Sequence, residues 1–161
     1  METGDLIGTL RASQHRWFRS SSSSGVFSPD GRTVAVWTYS EGIGLWDSVT
    51  GSLEATLAIG DDCMLHEFSP DGKLFAIYRE SKGWHRVTTI ELHDGLTGEL
   101  RSTLTGKNMR YAGQQRVWTS DSQTYITGGG DKKYEGKVWD VKTGRLKARF
   151  PMLLNLQSNS L

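Results

Sequence analysis

The sequence has little of several features that mark large classes of protein. It contains one cysteine, Cys63, so an internal disulfide is excluded, and a small buried side chain is the expected role of that residue. Its 19 lysines and arginines nearly balance its 18 acidic residues, and the net charge of +1 creates no overall field that would attract nucleic acid or an acidic membrane. No run of ~20 apolar residues occurs, so no transmembrane helix is predicted.

The N-terminal segment also lacks the marks of a targeting signal. Glu2 and Asp5 stand where a secretory signal peptide would carry basic residues, and no long apolar run follows them. We therefore expect a soluble protein of the cytoplasm. Its 161 residues are enough for one ordinary domain with a substantial core.

One short motif returns at a nearly constant interval. The segments TGDLIGTL, TGSLEATL, TGELRSTL and TGRLKARF contain Gly4, Gly51, Gly98 and Gly144, which are 47, 47 and 46 residues apart. An interval of this size indicates a repeat architecture. Within these segments apolar residues alternate with polar ones, which predicts a half-buried strand, and the Thr-Gly pair predicts the turn before it.

Each full repeat predicts three further strands before the motif strand. Tight turns are predicted after the first strand at Pro29-Asp30-Gly31 and Pro70-Asp71-Gly72, since proline presets φ and glycine closes the turn. The third repeat has Ser120-Asp121-Ser122 there, which is compatible with a type I turn because that turn tolerates most residues. The predicted strands cover 25–28, 32–39 and 43–47 ahead of the motif strand of the second copy, TGSLEATL. They then cover 63–69, 73–79, 87–93 and 99–104, and finally 115–119, 123–127, 136–140 and 145–150.

Three small sheets in series must stack face to face, because a single four-stranded sheet would expose both of its faces. At this point the residues resemble the WD-repeat β-propeller family. The resemblance rests on FSPDG at 27–31 and 68–72, and on LWD at 45–47 and VWD at 138–140, each WD followed by a Thr-Gly turn. It implies an all-β fold, a partial β-propeller of three four-stranded antiparallel blades.

The resemblance also implies a division of the chain. Residues 1–150 would form WD-repeat-like blades, and residues 151–161 a C-terminal tail whose apolar side chains could cover an exposed blade face. Closed propellers typically have four to eight blades. We therefore expect either a piece of a longer propeller or a ring completed by another copy or partner. The predicted parts of the first unit are an outer strand at 4–10 and blades at 22–57, 63–104 and 113–150.

The repeats depart from the family pattern in one respect that matters for stability. The second repeat has Leu92-His93-Asp94, with histidine where the family usually has tryptophan, and no repeat has the family's Gly-His before its first strand. The family's network of hydrogen bonds among His, Ser/Thr, Asp and Trp cannot be complete here. We expect blades held mainly by packing of aromatic and β-branched residues, with His93 in a structural role.

Patterns that carry catalysis or bind a cofactor are weak. Gly106-Lys107 lacks the earlier glycine and the following Ser/Thr of a phosphate-binding loop, and Gly128-Gly129-Gly130 is better interpreted as a hairpin turn. The four histidines show no spacing typical of metal sites, and no G-x-S-x-G supports a serine nucleophile. The sequence therefore predicts no enzyme and no cofactor.

The better candidate site lies in the connections between the second and third strands and between blades, which share one rim in the resembled fold. Tryptophan, tyrosine and arginine occur there, and these types are enriched where proteins bind one another. The alternative is that the aromatic residues fold back over the blade edges as local core. The predicted protein-binding residues are Arg16, Trp17, Phe18, Trp84, Arg86, Arg110, Tyr111, Lys133 and Tyr134.

The function predicted from these features is a non-enzymatic scaffold for protein–protein interaction, with self-association as a further way to complete the ring. Two alternatives remain, a propeller-type hydrolase and a nucleic-acid-binding module. Nucleic acid is disfavoured because the rim carries eight basic residues against six acidic ones. That excess is small beside the several phosphate contacts that strong binding requires.

Overall fold

The computed structural model describes residues 25–38, 42–57, 63–80, 88–105, 115–128 and 135–151. Every regular element within these ranges is a β-strand. The strand expected at 4–10 and the tail after Pro151 lie outside the described residues, and so does the side chain of Cys63.

The strands form three four-stranded antiparallel sheets, each with its strands in chain order. The described part of the chain therefore confirms the predicted all-β fold of three such sheets. Sheet 1 contains β1 (Gly25–Phe27), β2 (Thr33–Thr38), β3 (Gly42–Asp47) and β4 (Leu53–Leu57). Sheet 2 contains β5 (Cys63–Phe68), β6 (Leu74–Glu80), β7 (Thr88–Asp94) and β8 (Leu100–Thr105). Sheet 3 contains β9 (Gln115–Trp118), β10 (Thr124–Gly128), β11 (Glu135–Asp140) and β12 (Leu146–Pro151).

The three sheets stack because their strands present apolar side chains on both faces. We call the face of a sheet that looks toward the next sheet in the chain its rear face, and the opposite face its front face. Ala35, Leu45 and other rear residues of sheet 1 pack against Phe75 and Ile77 on the front of sheet 2. Successive side chains of a strand point to opposite faces, so the neighbours of these residues point away from that contact.

A second core lies between sheets 2 and 3. Ala76 and Tyr78 alternate with Phe75 and Ile77 along β6, and they pack with residues of sheet 3 that include Trp139. Sheet 2 is thus apolar on both faces and buried on both. Its alternating residues join the two cores into one continuous stack.

The third strand of each sheet carries the same irregularity in its pairing with the fourth strand. The register shifts between Leu45 and Trp46 in sheet 1, between Leu92 and His93 in sheet 2, and between Val138 and Trp139 in sheet 3. A β-bulge bends a strand and increases its twist. The bulge occurs at the equivalent position of all three sheets, so the backbone conformation repeats along with the sequence motif.

Two hydrogen-bonding side chains stand at equivalent places in sheets 2 and 3. The indole N–H of Trp139 donates to the Thr127 hydroxyl over 3.0 Å in the buried core. His93, at the matching position of sheet 2, lies with its Nδ1 2.9 Å from the carbonyl oxygen of Gly98 and its Nε2 3.2 Å from a carboxylate oxygen of Glu91. His93 thus has the structural role expected of it.

The turn at Ser120-Asp121-Ser122 closes with the N–H of Ser122 donating to the Thr119 carbonyl oxygen over 2.9 Å, as in the two Pro-Asp-Gly turns, but its last residue has an unusual backbone conformation. Ser122 has a φ of +59°, close to the +71° of Gly31 and the +72° of Gly72 at the equivalent places. A side chain is strained in this left-handed conformation. The hydroxyl of Ser122 accepts a hydrogen bond from the backbone N–H of Asp71 in sheet 2 over 3.1 Å. That bond between sheets gives the serine a compensating role.

Substitution of Gly31 measures the free-energy cost of a side chain in this backbone conformation. A Cβ added there would meet no atom within 4 Å, so Gly31→Ala introduces no clash and changes only the strain of positive φ. We expect the free energy of unfolding to fall by about 1 kcal/mol, measured by urea denaturation. The control is Gly25→Ala, whose added Cβ would make ordinary contacts at 3.7–3.9 Å and should change stability by less than about 0.5 kcal/mol. Equal effects of the two variants would contradict this account.

Candidate functional site

The strand order gives each sheet two different rims. The connections β1–β2 and β3–β4, with their equivalents, emerge at one end of the strands, which we call the turn rim. The connections β2–β3 and their equivalents, together with the connections between sheets, emerge at the opposite end, which we call the loop rim. This division follows from antiparallel pairing in chain order.

The predicted protein-binding residues belong to the loop-rim connections or to the segment before β1. Their structure is not described, so the structure neither brings them together nor separates them. The segments between the described strands at this rim are 39–41, 58–62, 81–87, 106–114 and 129–134. The predicted residues outside the described ranges are Arg16, Trp17, Phe18, Trp84, Arg86, Arg110, Tyr111, Lys133 and Tyr134.

The turn rim is built from one repeated arrangement of hydrogen bonds. In sheet 1 the Ser28 hydroxyl donates to the Asp30 carboxylate over 2.6 Å, and the same carboxylate oxygen accepts the backbone N–H of Arg32 over 3.0 Å. The Ser28 hydroxyl also accepts the N–H of Thr33 over 2.9 Å, which closes the turn. The pairs Ser69–Asp71 and Thr119–Asp121 repeat these contacts in sheets 2 and 3.

A second carboxylate organises the turn after the third strand. One oxygen of Asp47 accepts the backbone N–H groups of Val49 and Thr50 over 2.9 and 2.6 Å, and also the Thr50 hydroxyl over 2.9 Å. Asp94 and Asp140 make the equivalent bonds in the other sheets. This is the physical role of the aspartate in the Trp-Asp and His-Asp pairs noted in the sequence.

These hydrogen bonds shift the acidity of the turn carboxylates. The Ser28 hydroxyl and then the N–H of Arg32 hold the pKa of Asp30 below its ordinary value. Partial burial acts to raise the pKa of Asp94, but the N–H of Thr97 and the Arg101 guanidinium outweigh it and lower the pKa to about 2. Arg101 Nη2 lies 2.9 Å from Asp94 Oδ2. The carboxylates therefore stay ionised in the folded protein well below neutral pH.

A cleft of about 600 Å³ opens on the turn rim between sheets 1 and 2. Its charged lining is mainly acidic, because five carboxylates face two basic side chains there. Four of the five are turn-forming aspartates whose oxygens already accept hydrogen bonds from their own turns. Their first role is therefore structural. The charged lining consists of Asp30, Asp47, Glu54, Asp71, Asp94, Arg32 and Lys73.

Sequence reasoning did not identify this cleft. Asp30 and Asp71 were assigned to tight turns, and nothing in their local pattern shows that two such turns from successive repeats lie side by side. The repeat interval itself carries the missing signal. Residues at equivalent positions of stacked repeats become neighbours, so the recurring Asp of each turn predicts a row of carboxylates.

Two groups of polar side chains lie on the faces of sheet 2, and the first of them joins sheet 2 to sheet 3. The Tyr125 hydroxyl of sheet 3 donates to the Glu67 carboxylate of sheet 2, and Arg116 Nε lies 3.4 Å from the same carboxylate. Burial, and then the nearby Glu67 charge, raise the pKa of Tyr125 well above its ordinary value, which keeps the hydroxyl protonated as a donor. On the front face of sheet 2, Arg79 Nε lies 2.9 Å from the Glu91 carboxylate, which also pairs with His93.

The described residues hold no group of three or more His, Cys, Asp or Glu side chains placed to bind a metal ion. In the same ranges no helix is long and apolar enough to cross a membrane.

Comparisons with known proteins support the fold more than the family. No family model matches the sequence, and no match was found among curated proteins. A structural match exists to a crystal structure of a eukaryotic initiation factor, with a TM-score of 0.58 and 18% sequence identity. The match covers 87% of this chain and 35% of that chain, so this chain spans about a third of the length of the protein it resembles. At this identity the likeness shows a shared β-sheet repeat architecture resembling a propeller segment.

Asp94 offers a test of the turn-rim electrostatics. Its pKa is depressed in the folded state, so it stabilises the fold fully above the unfolded value near pH 4 and loses that contribution as the pH falls through about 2. Asp94→Asn keeps an acceptor for the turn but removes the charge. We expect the free energy of unfolding at pH 7 to fall by about 1 kcal/mol, after allowance for solvent screening.

The same variant should also flatten the acid dependence of stability between about pH 4 and pH 2. The control is Glu54→Gln, which removes an exposed carboxylate from β4. Urea unfolding at several pH values measures both effects. A carboxyl resonance of Asp94 that titrates near pH 4 in NMR spectra would show the account to be wrong.

Proposed function

We propose that this chain is a non-enzymatic scaffold of WD-like blades that binds a protein partner at its loop rim. The observation that carries the proposal is the different regularity of the two rims. Every turn-rim connection is five residues long, whereas the connections at the loop rim vary from three to nine. The turn-rim connections are 28–32, 48–52, 69–73, 95–99, 119–123 and 141–145, and the loop-rim connections are 39–41, 58–62, 81–87, 106–114 and 129–134.

This contrast favours the loop rim as the binding side. At the turn rim equivalent carboxylates and hydroxyls make the same hydrogen bonds in each sheet, so the residues of that rim stabilise the fold of the repeat. Variable connections on a rigid framework are where binding residues usually lie. The loop-rim segments are also the ones that contain the tryptophan, tyrosine and arginine residues typical of binding hot spots.

The connection 81–87 is the best supported of these segments as a binding loop. It joins β6 and β7, which pair at seven successive positions up to Glu80 and Thr88. These two strands belong to the sheet that is packed on both faces. A loop whose two ends are fixed by such a ladder loses less conformational entropy when it binds a partner. Trp84 and Arg86 lie within this loop.

The remaining parts of the proposal rest on the same features. The structural likeness to a segment of an initiation factor supports a propeller-like scaffold at the level of the fold. The partner we propose is a protein in the cytoplasm, bound without a cofactor or a membrane. Assignment to the WD-repeat family remains part of the proposal, and it is supported by the aspartate-closed turn that follows Trp46 and Trp139.

Truncation of one apolar side chain on each rim tests the proposal. Trp84→Ala should weaken binding of a captured partner about thirtyfold, as expected when a buried aromatic anchor is removed. Leu96→Ala is the matched control, because Leu96 is an exposed apolar residue of the turn rim. Quantitative affinity capture with the wild type and both variants selects proteins lost only from Trp84→Ala, and titration of the purified partner gives the change in affinity.

Circular dichroism and thermal melting separate binding from folding in this experiment. A Trp84→Ala chain that binds less but melts like the wild type supports the proposal. If Trp84→Ala unfolds, Trp84 belongs to the core, and Arg86→Ala replaces it in the binding experiment. Equal capture of every protein by the wild type and the loop-rim variants would contradict the proposed surface.

A further inference from the structure

The rear face of sheet 3 has the residue pattern of a buried face. Val117, Ile126, Val138 and Ala148 stand directly opposite one another across its four strands. Directly opposed residues share a face. Tyr125, which neighbours Ile126 along β10, packs toward sheet 2, so the row of four points the other way.

The equivalent rows of the other sheets are covered by the next sheet. In sheet 1 the row is Val26, Ala35, Leu45 and Ala55. Ala35 and Leu45 are buried in the core shared with sheet 2, and Val26 and Ala55 are partly buried against it. The row in sheet 2 includes Ala76 and Leu92, which are buried against sheet 3. In sheet 3, by contrast, Val117 is 55% exposed and Phe150, beside the row, is 39% exposed.

The front face of sheet 1 is the complementary surface. Phe27, Val34, Trp46 and Leu53 stand opposite one another across its strands. They point away from sheet 2, because Ala35 and Leu45, their neighbours along the strands, pack onto it. Phe27 is 61% exposed and Leu53 is 49% exposed.

The same positions in the other two sheets are already used for stacking. Phe68 and Phe75 of sheet 2 pack on sheet 1, with their rings tilted at a centroid distance of 4.8 Å. Trp118, Tyr125 and Trp139 of sheet 3 pack on sheet 2. The front row of sheet 1 thus has the position and the apolar character of the rows that bind a rear face within the chain.

We propose that the rear face of sheet 3 binds the front face of sheet 1 in a second copy of this chain. The contact repeats, between chains, the stacking that joins sheets 1 and 2 within one chain. Val117 occupies the position of Val26, and the exposed Phe27 occupies the position of Phe68. Val26 and Phe68 both belong to the contact between sheets 1 and 2, so the proposed interface pairs apolar residues at the same positions. This proposal concerns the sheet faces, and it is independent of the loop-rim function.

The number of sheets selects the size of the assembly. A head-to-tail contact either closes into a ring or grows into an open chain. Counting the three sheets of the described ranges, two copies supply six, which lies within the four to eight blades of closed propellers, whereas three copies would supply nine. The proposed assembly is therefore a dimer with two identical interfaces.

Lysine substitutions at exposed positions test the interface without disturbing the core of one chain. Val117→Lys alters the rear face of sheet 3, and Leu53→Lys alters the front face of sheet 1. Val49→Lys is the matched control, because Val49 is 74% exposed in the turn after β3 and outside both faces. Burial of an unpaired ammonium group should raise the dimer dissociation constant about a hundredfold or more in the two face variants.

The experiment is light scattering during size-exclusion chromatography of the full chain over a wide range of concentration, with circular dichroism on each variant. We expect a dimer for the wild type and Val49→Lys, and a folded monomer for Val117→Lys and Leu53→Lys. If Val117→Lys loses its β signal, Ala148→Lys in the same exposed row replaces it.

Several outcomes would overturn the proposal. A wild type that stays monomeric at every concentration rules out this contact. A dimer that survives Leu53→Lys but not the rear-face variant indicates two rear faces packed together. A dimer that survives the rear-face variant shows association elsewhere. A mass that keeps growing with concentration indicates an open chain of copies in place of the closed ring.

Discussion

The structure depends on one constraint: a four-stranded sheet with apolar residues on both faces must be covered by another layer on each face. Sheet 2 meets this constraint within the chain, since Phe75 and Ile77 pack on one neighbour while Ala76 and Tyr78 pack on the other. The alternation of side chains along a single strand therefore contributes to two cores. Burial on both faces also makes sheet 2 the most strongly held base from which a loop can be presented.

The turn carboxylates allow this packing to repeat. Each of the two turns in a repeat places an aspartate where it caps backbone N–H groups, so both turns reach the same length in all three sheets. The backbone of one turn also bonds the other, as when the N–H of Ser48 donates to the Arg32 carbonyl oxygen over 2.8 Å. Equal turns keep the strands in equal register, and equal register brings apolar rows of successive sheets into contact.

Much of this arrangement could be predicted from the sequence, because it is encoded locally. Alternating apolar residues predicted the strands, and the Thr-Gly and Pro-Asp-Gly pairs predicted the turns. The positive φ of Ser122 was not predicted, since the hydroxyl of this residue bonds the backbone of Asp71 in another sheet and no local pattern shows that contact. The link from Tyr125 to Glu67 also joins residues far apart in sequence, and no local pattern predicts such a pair.

The candidate site, like the fold, could be predicted from the sequence only in part. The loop-rim residues were proposed from their types and from the rim that their connections share in the resembled fold, and they remain a prediction because they lie outside the described ranges. The acidic cleft of the turn rim was missed, since it exists only where turns of two sheets meet. The apolar end faces were anticipated in part, because three blades are fewer than a closed ring requires. Their residues could be named only once the register of each strand was known.

The polar contact of Glu67 with Tyr125 and Arg116 has a consequence for folding. Sheets with nearly identical patterns of apolar residues could stack in the wrong order as the chain folds. Apolar contacts alone discriminate poorly between the correct and the incorrect stacking order. If sheet 3 packed instead on the rear of sheet 1, Tyr125 and Arg116 would face Val26 and lose their carboxylate partner. A buried polar group without a partner is costly, so this single mismatch penalises the incorrect order. The contact therefore favours packing of sheet 3 on sheet 2 over packing on sheet 1.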